Sequence, residues 1–319
     1  MARTFRTLMA LLLVAALLPL AAPAQQSAPA PQTAPAKTPV KGKQPVKGAP
    51  AVAPAPAKPT LGGIDAFIEA QLKEWKVPGM SIAVVQDGKV ILSKGYGFRD
   101  VEKQLPVTAK TLFAIGSVTK SFTVTVLGTL AEEGKLEWDK PVREYLPTFR
   151  LHDTGATEHM TVLDLVTHRS GLPRHDLLWY GSPLTRQEMF DRLKYLEPSA
   201  DLREVWQYNN LMFMTAGILA SEISHAKWED LVKKRVFEPL RMTGSNFSVN
   251  DSQKAEDFSQ PFIEIKAKVE KVPFRNIDEI GPAGSINSNV EDMIKYVQMH
   301  LSKGKYGEKG EKKIIAEAT

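Results

Sequence analysis

Residues 81–98, SIAVVQDGKVILSKGYGF, read as two Val/Ile/Leu-containing strands on either side of Asp87-Gly88. An Asp-Gly pair supplies the two positive φ angles that a tight hairpin turn needs, so this stretch predicts a β-hairpin. That constrains the rest of the chain. A two-stranded hairpin is marginal in water unless further strands or helices cover it. Most of what surrounds it reads as helix. IDAFIEAQLKEW, from Ile64, places Ile64, Phe67, Ile68 and Leu72 on one face. A mostly apolar helix is expected from Ser117 to about Glu133, with others near 161–168, 185–196, 211–224 and 227–238. A last helix, VEDMIKYVQMHL, is preceded by Ser288 with Glu291 three residues on, a capping-box spacing. A hairpin among many helices, with no internal repeat, argues for an α+β fold.

The 319-residue chain is 43% hydrophobic and 24% charged, with a formal net charge of +5, an ordinary globular composition. That mild basicity comes without a basic, aromatic-interleaved motif, so a nucleic-acid partner is not expected. There are no cysteines, which excludes disulfides, thiolate nucleophiles and thiolate metal sites.

The N-terminus carries Arg3 and Arg6, an apolar run from Leu8 to Leu20, and Ala22-Pro23-Ala24. This is the plan of a secretory signal over residues 1–24, cut after Ala24. The alternative is an uncleaved anchor, for which the run is short against the roughly 20 residues that span a bilayer. The expectation is export to the periplasm or medium, with no membrane span after cleavage. Residues 25–60 are Ala, Pro, Lys, Gln and Val with almost no large side chains, the composition of a disordered tether. Its lysines are read first as solvating groups and second as a contact to anionic cell-wall polymer. The folded domain is expected over 61–319.

Within FAIGSVTKSFTVTVLG, residues 113–128, a lysine interrupts a run that otherwise wants burial. Ser117 and Lys120 are three apart and share a helical face. At a helix N-terminus in an apolar setting, the dipole and desolvation both disfavour the ammonium, which is what a lysine needs to act as a base toward serine. The free N–H groups of a first turn can face a developing oxyanion. The spacing alone is weak, since Ser224-Lys227 and Ser302-Lys305 repeat it. Neither of those opens an apolar helix. The plain alternative for Ser117 is a helix cap beside a snorkelling lysine.

Tyr208-Asn209-Asn210 stands just before the apolar helix expected at 211–224. A tyrosine near a neutral lysine can relay a proton, and an asparagine amide can hold a substrate carbonyl. The plain alternative is a core-edge ring and a helix cap. No G-x-S-x-G elbow is present, and the six histidines form no H-E-x-x-H or H-x-H-x-D pattern. His168 and His175, with Asp176, are read as structural loop residues, and no metal or cofactor is expected. The five tryptophans are dispersed and are expected in the core or lining a pocket.

Ser117-Val118-Thr119-Lys120 and Tyr208-Asn209-Asn210 resemble the first two motifs of the class C β-lactamase-like serine hydrolases, a group that includes D,D-peptidases, esterases and D-amino-acid amidases. LDLVTHRSGLP at 163–173, FEPLRMTGSNF at 237–247 and GPAGSINSNVEDMIKYVQMHL at 281–301 resemble further segments of that family, in the family's order. The resemblance implies a β-lactamase/transpeptidase-like fold, an antiparallel sheet flanked by helices with a helical subdomain. It implies catalytic roles for Ser117 as the acylated nucleophile, Lys120 as base and Tyr208 as proton shuttle, with Asn210 binding the substrate amide. The implied reaction is metal-free acyl transfer from a β-lactam, D-amino-acid peptide or ester, with peptidoglycan as a candidate partner. A non-catalytic penicillin- or wall-binding protein is the rival.

The family's third motif, Lys or His, a small residue and Gly on a strand beside the serine, has only two near matches. HDTG at 152–155 precedes the tyrosine motif and so falls out of order. Lys305-Tyr306-Gly307 lies in a Gly/Lys-rich stretch read as a loop. The expectation is that the strand carrying this motif lies beyond Thr319 and that the sheet is incomplete in this chain.

Overall fold

The computed structural model describes residues 61–317, so the expected signal segment and tether lie outside the described residues. Helix α1 (Ile64–Glu74) leads into strands β1 (Gly79–Gln86) and β2 (Lys89–Asp100), paired antiparallel. Asp87 and Gly88 both take positive φ, 49° and 75°. That geometry matches the right-handed twist of the strands and sets Gln86 opposite Lys89. A bulge between Val84 and Val85 then shifts the register. Strand β3 (Leu105–Pro106) adds to the far edge of β2, so the sheet order is β1-β2-β3. On α1 the expected apolar face is narrower than its letters suggest. Ile68 is buried, but Phe67 is 62% exposed. Tyr96 of β2 donates to Asp65 of α1 at 2.5 Å, which helps fix that helix on the sheet.

Downstream come β4 (Phe113–Ala114), α2 (Thr119–Glu132), α3 (Asn210–Ser224), an exposed hairpin of β5 (Phe262–Ile265) and β6 (Lys268–Lys271), then β7 (Asn287–Ser288) and α4 (Val290–Leu301). Helix α4 packs against β1 and β2, covering the hairpin. Shorter helices occupy the other expected stretches: Val162–Val166 and Arg186–Arg192 each open on a capping box, Thr161 with Asp164 and Thr185 with Glu188. Trp228–Val232 runs through a π-turn at Lys233–Phe237.

The core gathers around α2 and α3, which lie against each other. Phe122, Val126, Leu127 and Leu130 of α2 meet Leu211, Met212, Leu219 and Ala220 of α3 among fully buried side chains. Each of the Phe, Val, Leu and Met side chains contributes about 1.5–3 kcal/mol on leaving water. A short helix at Gly281–Gly284 presses on both helices. Gly217 makes that approach possible: a Cβ there would stand 2.2 Å from Pro282 Cγ. A buried polar link reinforces it. Trp228 donates through Nε1 to Thr123 Oγ1 at 3.0 Å, and Thr123 donates to the Pro282 carbonyl at 2.7 Å.

Two expectations change in detail. The cap of α4 is Asn289, which accepts from the Asp292 N–H at 2.9 Å, and not Ser288. Ser288 is in β7, paired with Phe113 of β4, so its backbone is committed to a strand and the helix starts one residue later. Lys305-Tyr306-Gly307 is more than a loop: β8 (Lys305–Tyr306) pairs with β9 (Lys312–Lys313). Among the tryptophans Trp228 is fully buried, whereas Trp75 and Trp206 are largely exposed. Among the described residues no helix is long and apolar enough to cross a membrane.

Candidate active site

The two-residue pairing of β4 with β7 brings the two halves of the site together. It sets Phe113 opposite Ser288 and Ala114 opposite Asn287, and Ile115 N–H continues it to the Ile286 carbonyl at 3.0 Å. The chain leaving β4 turns through Gly116, at φ 51°, into a 3-10 turn at Gly116–Val118 and then into α2. Ser117 therefore lies on the turn just ahead of the α-helix, exposed, while Lys120 lies in the helix's first turn and is only 7% exposed.

Lys120 Nζ has three partners: Ser117 Oγ at 3.1 Å, Asn210 Oδ1 at 2.8 Å and the Ala283 carbonyl at 2.6 Å. As an ammonium it donates to all three. As a neutral amine it has two N–H donors and one lone pair. The two oxygens that can only accept, on Asn210 and Ala283, then take both donors, and the lone pair is left for the Ser117 hydroxyl proton. Burial, and next the positive charge of Arg174, lower the lysine pKa from its ordinary 10.5 to about 8; Asp176 pulls the other way. The ammonium also stands 4.8 Å from the Tyr208 ring centroid and 5.3 Å from that of Phe213.

Tyr208 Oη and Ser117 Oγ share a short hydrogen bond. Tyr208 sits ahead of α3, whose N-cap is Asn209. The Asn209 side-chain oxygen accepts from Met212 N–H at 3.1 Å, and its amide nitrogen donates to the Pro173 carbonyl at 2.8 Å. The two asparagines thus divide the work, Asn209 capping the helix and Asn210 facing Lys120. Asn210 Nδ2 also reaches Asp176 Oδ1, at 3.4 Å. Asp176 in turn accepts from Arg174 Nε at 2.6 Å and Trp179 Nε1 at 3.0 Å, and Arg174 lies over the Tyr208 ring, 5.0 Å from its centroid.

All four residues expected at the site, Ser117, Lys120, Tyr208 and Asn210, are therefore brought together. Sequence reasoning did not assign site contacts to His168, Arg174, Asp176 or the Ala283 carbonyl. His168 and Asp176 stand close to RSGLPR, where the sequence by itself indicates loop structure. The third-motif near matches do not join the serine. Lys305, Tyr306 and Gly307 line a cavity of about 890 Å³ with Arg241, Lys295 and Gln298, and Asp153 of HDTG caps the short helix Thr154–His159. Among the described residues no group of three or more His, Asp or Glu is arranged to hold a metal ion.

A model of the Beta-lactamase family matches residues 64–318, and the chain belongs to that family. Unguisins hydrolase ungD' of Aspergillus campestris is 33% identical over 252 residues, 74% of this chain and 46% of that protein. The chain thus spans about half the length of the curated relatives it matches. Among solved structures, the octameric penicillin-binding protein homologue from Pyrococcus abyssi superposes with a TM-score of 0.69 at 31% identity, over 81% of this chain and 58% of that one. A class C beta-lactamase variant superposes with a TM-score of 0.64 at 26% identity, over 75% and 64%. The β-lactamase/transpeptidase-like fold expected from the motifs is the fold observed, with helices around small antiparallel sheets.

Proposed function

We propose that this protein is an exported serine hydrolase that forms an acyl-enzyme at Ser117 with a small amide or ester substrate. The observation that carries the reading is the lysine: buried, 3.1 Å from Ser117 Oγ, and with two of its three partners able only to accept. Neutral Lys120 takes the Ser117 proton as Oγ bonds to the substrate carbonyl carbon. The carbonyl π pair moves onto oxygen, where the Ser117 N–H at the start of the helical turn is the donor to hand. The carbonyl re-forms, the bond to the leaving group breaks, and the Tyr208 hydroxyl gives its proton to the departing nitrogen or oxygen. The Lys120 proton then restores Tyr208. Water, deprotonated by the same groups in reverse, releases the acid. Asn210, hydrogen-bonded to Lys120 and Asp176, orients the substrate amide in this reading.

Support for this chemistry also comes from family membership and from relatives whose names denote a hydrolase, a penicillin-binding protein homologue and a class C beta-lactamase. β-Lactams, D-amino-acid peptides, including those of peptidoglycan, and esters are the substrate classes proposed. Export to the periplasm or medium rests on the N-terminal signal pattern.

The test is covalent labelling with a fluorophosphonate and with a fluorescent β-lactam, the adduct mapped by mass spectrometry. Adduct on Ser117 that disappears in Ser117→Ala is expected. Labelling that survives this substitution would sink the assignment, and a permanent β-lactam adduct without turnover would favour the binding-protein reading.

A further inference from the structure

His168 stands behind Tyr208 and is tied to the chain on both sides of it. The His168 carbonyl accepts from Gln207 N–H at 2.8 Å, and its Nδ1 accepts from Asn209 N–H at 3.1 Å. Between these two bonds the Tyr208 ring lies against the imidazole, centroids 4.5 Å apart. Phe213 and Trp206 flank the imidazole at 5.2 and 5.5 Å. His168 itself has φ 60°, a left-handed conformation that non-glycine residues rarely take and that the surroundings must enforce. We propose that His168 is a positioning residue that holds the Tyr208 hydroxyl on Ser117 by clamping the backbone of both of its neighbours.

The clamp needs one protonation state. Nδ1 accepts only when it carries no proton, so the working form is the neutral Nε2–H tautomer. The imidazolium has no acceptor, and its formation would break the bond to Asn209. The groups facing the ring favour the neutral form. From α2, Lys120 presents a positive charge; from the 206–209 segment come Tyr208 and Trp206; from α3 comes uncharged Phe213; and Arg174 lies on the Tyr208 ring. Burial, and then the Lys120 charge, hold the His168 pKa below its ordinary 6.5.

This inference rests on the serine-hydrolase reading for its kinetic test. Ser117-dependent fluorophosphonate labelling is measured from pH 5 to 10 in the wild type, His168→Phe and His168→Asn. Phenylalanine keeps a ring without the acceptor, and the asparagine amide restores an acceptor near the Nδ1 position. The wild-type rate should fall about tenfold per pH unit while Lys120 alone titrates, and about a hundredfold per unit once His168 also protonates. His168→Phe should label about ten- to a hundredfold more slowly at pH 8. His168→Asn should recover most of that rate and keep the tenfold slope down to pH 5. A His168→Asn variant no faster than His168→Phe, a folded His168→Phe that labels at the wild-type rate, or a steepening that survives in His168→Asn overturns the proposal, and the last outcome decides even if the phenylalanine variant does not fold. Nitrogen NMR of the wild type provides an arm independent of catalysis: His168 should show an unprotonated Nδ1 at pH 7, and an Nδ1–H tautomer refutes the clamp. Labelling that persists in Ser117→Ala would instead remove the hydrolase reading and leave this NMR arm standing.

Discussion

Lys120 gives the most quantitative prediction, because one number governs two experiments. Its pKa, lowered to about 8 from 10.5, means that about a tenth of the molecules carry the neutral amine at pH 7 and about nine-tenths at pH 9. Labelling of Ser117 should therefore rise about tenfold between pH 7 and pH 9 and level off above. A lysine at its ordinary value would give a roughly hundredfold rise over the same interval with no plateau. Lys120→Met should lower the rate by about two to four orders of magnitude. The same residue acts on stability. Between about pH 8 and 10.5 the unfolded chain holds the lysine proton and the folded one does not, so stability should rise with pH across that window, by up to about 3 kcal/mol. Below pH 8 both states are protonated and this contribution is flat. Methionine abolishes the slope. At neutral pH it relieves the desolvated charge but leaves Asn210 Oδ1 and the Ala283 carbonyl without a donor, about 1–3 kcal/mol each, so net stability should change little. Rapid-quench labelling from pH 6 to 10.5 and urea unfolding at pH 7.5 and 10 measure both. A labelling inflection at or above pH 10, or a Lys120→Met variant within tenfold of wild type, refutes the assignment of Lys120 as base.

Arg174→Gln removes the positive charge that helps depress Lys120, so the labelling inflection should move to higher pH; an unmoved inflection means that burial alone sets it. Gly217→Ala puts a methyl group against Pro282, with overpacking of about 1–3 kcal/mol expected as a lower thermal midpoint, and a midpoint equal to wild type would show that the Gly281–Gly284 turn yields freely.

What the letters revealed was what local chemistry controls. Asp87-Gly88 takes the two positive φ angles its side chains permit, and Ser117 and Lys120 meet because helical geometry makes residues three apart neighbours. Asn209 and Asn210 were separable only in three dimensions, since either can cap a helix. The pairing of β4 with β7 is two residues long and joins positions about 175 apart, too short to leave any periodicity. Ala283 reaches Lys120 through its carbonyl oxygen, an atom every residue has, so its identity signals nothing. His168 lies in a turn, as its sequence context indicates, but its bonds run to backbone groups at 207 and 209 that a sequence cannot display. Ser288 fitted a capping spacing, and strand pairing from far away overrode it.

The Ala283 carbonyl lies 163 residues from the lysine it receives. No early piece of the polypeptide can therefore own a finished site: during synthesis the segment carrying Ser117 and Lys120 is made before its third partner. Contacts of such separation form late and slowly. On the chemistry proposed above, a serine-directed label is also a clock for the docking of the turn after residue 280.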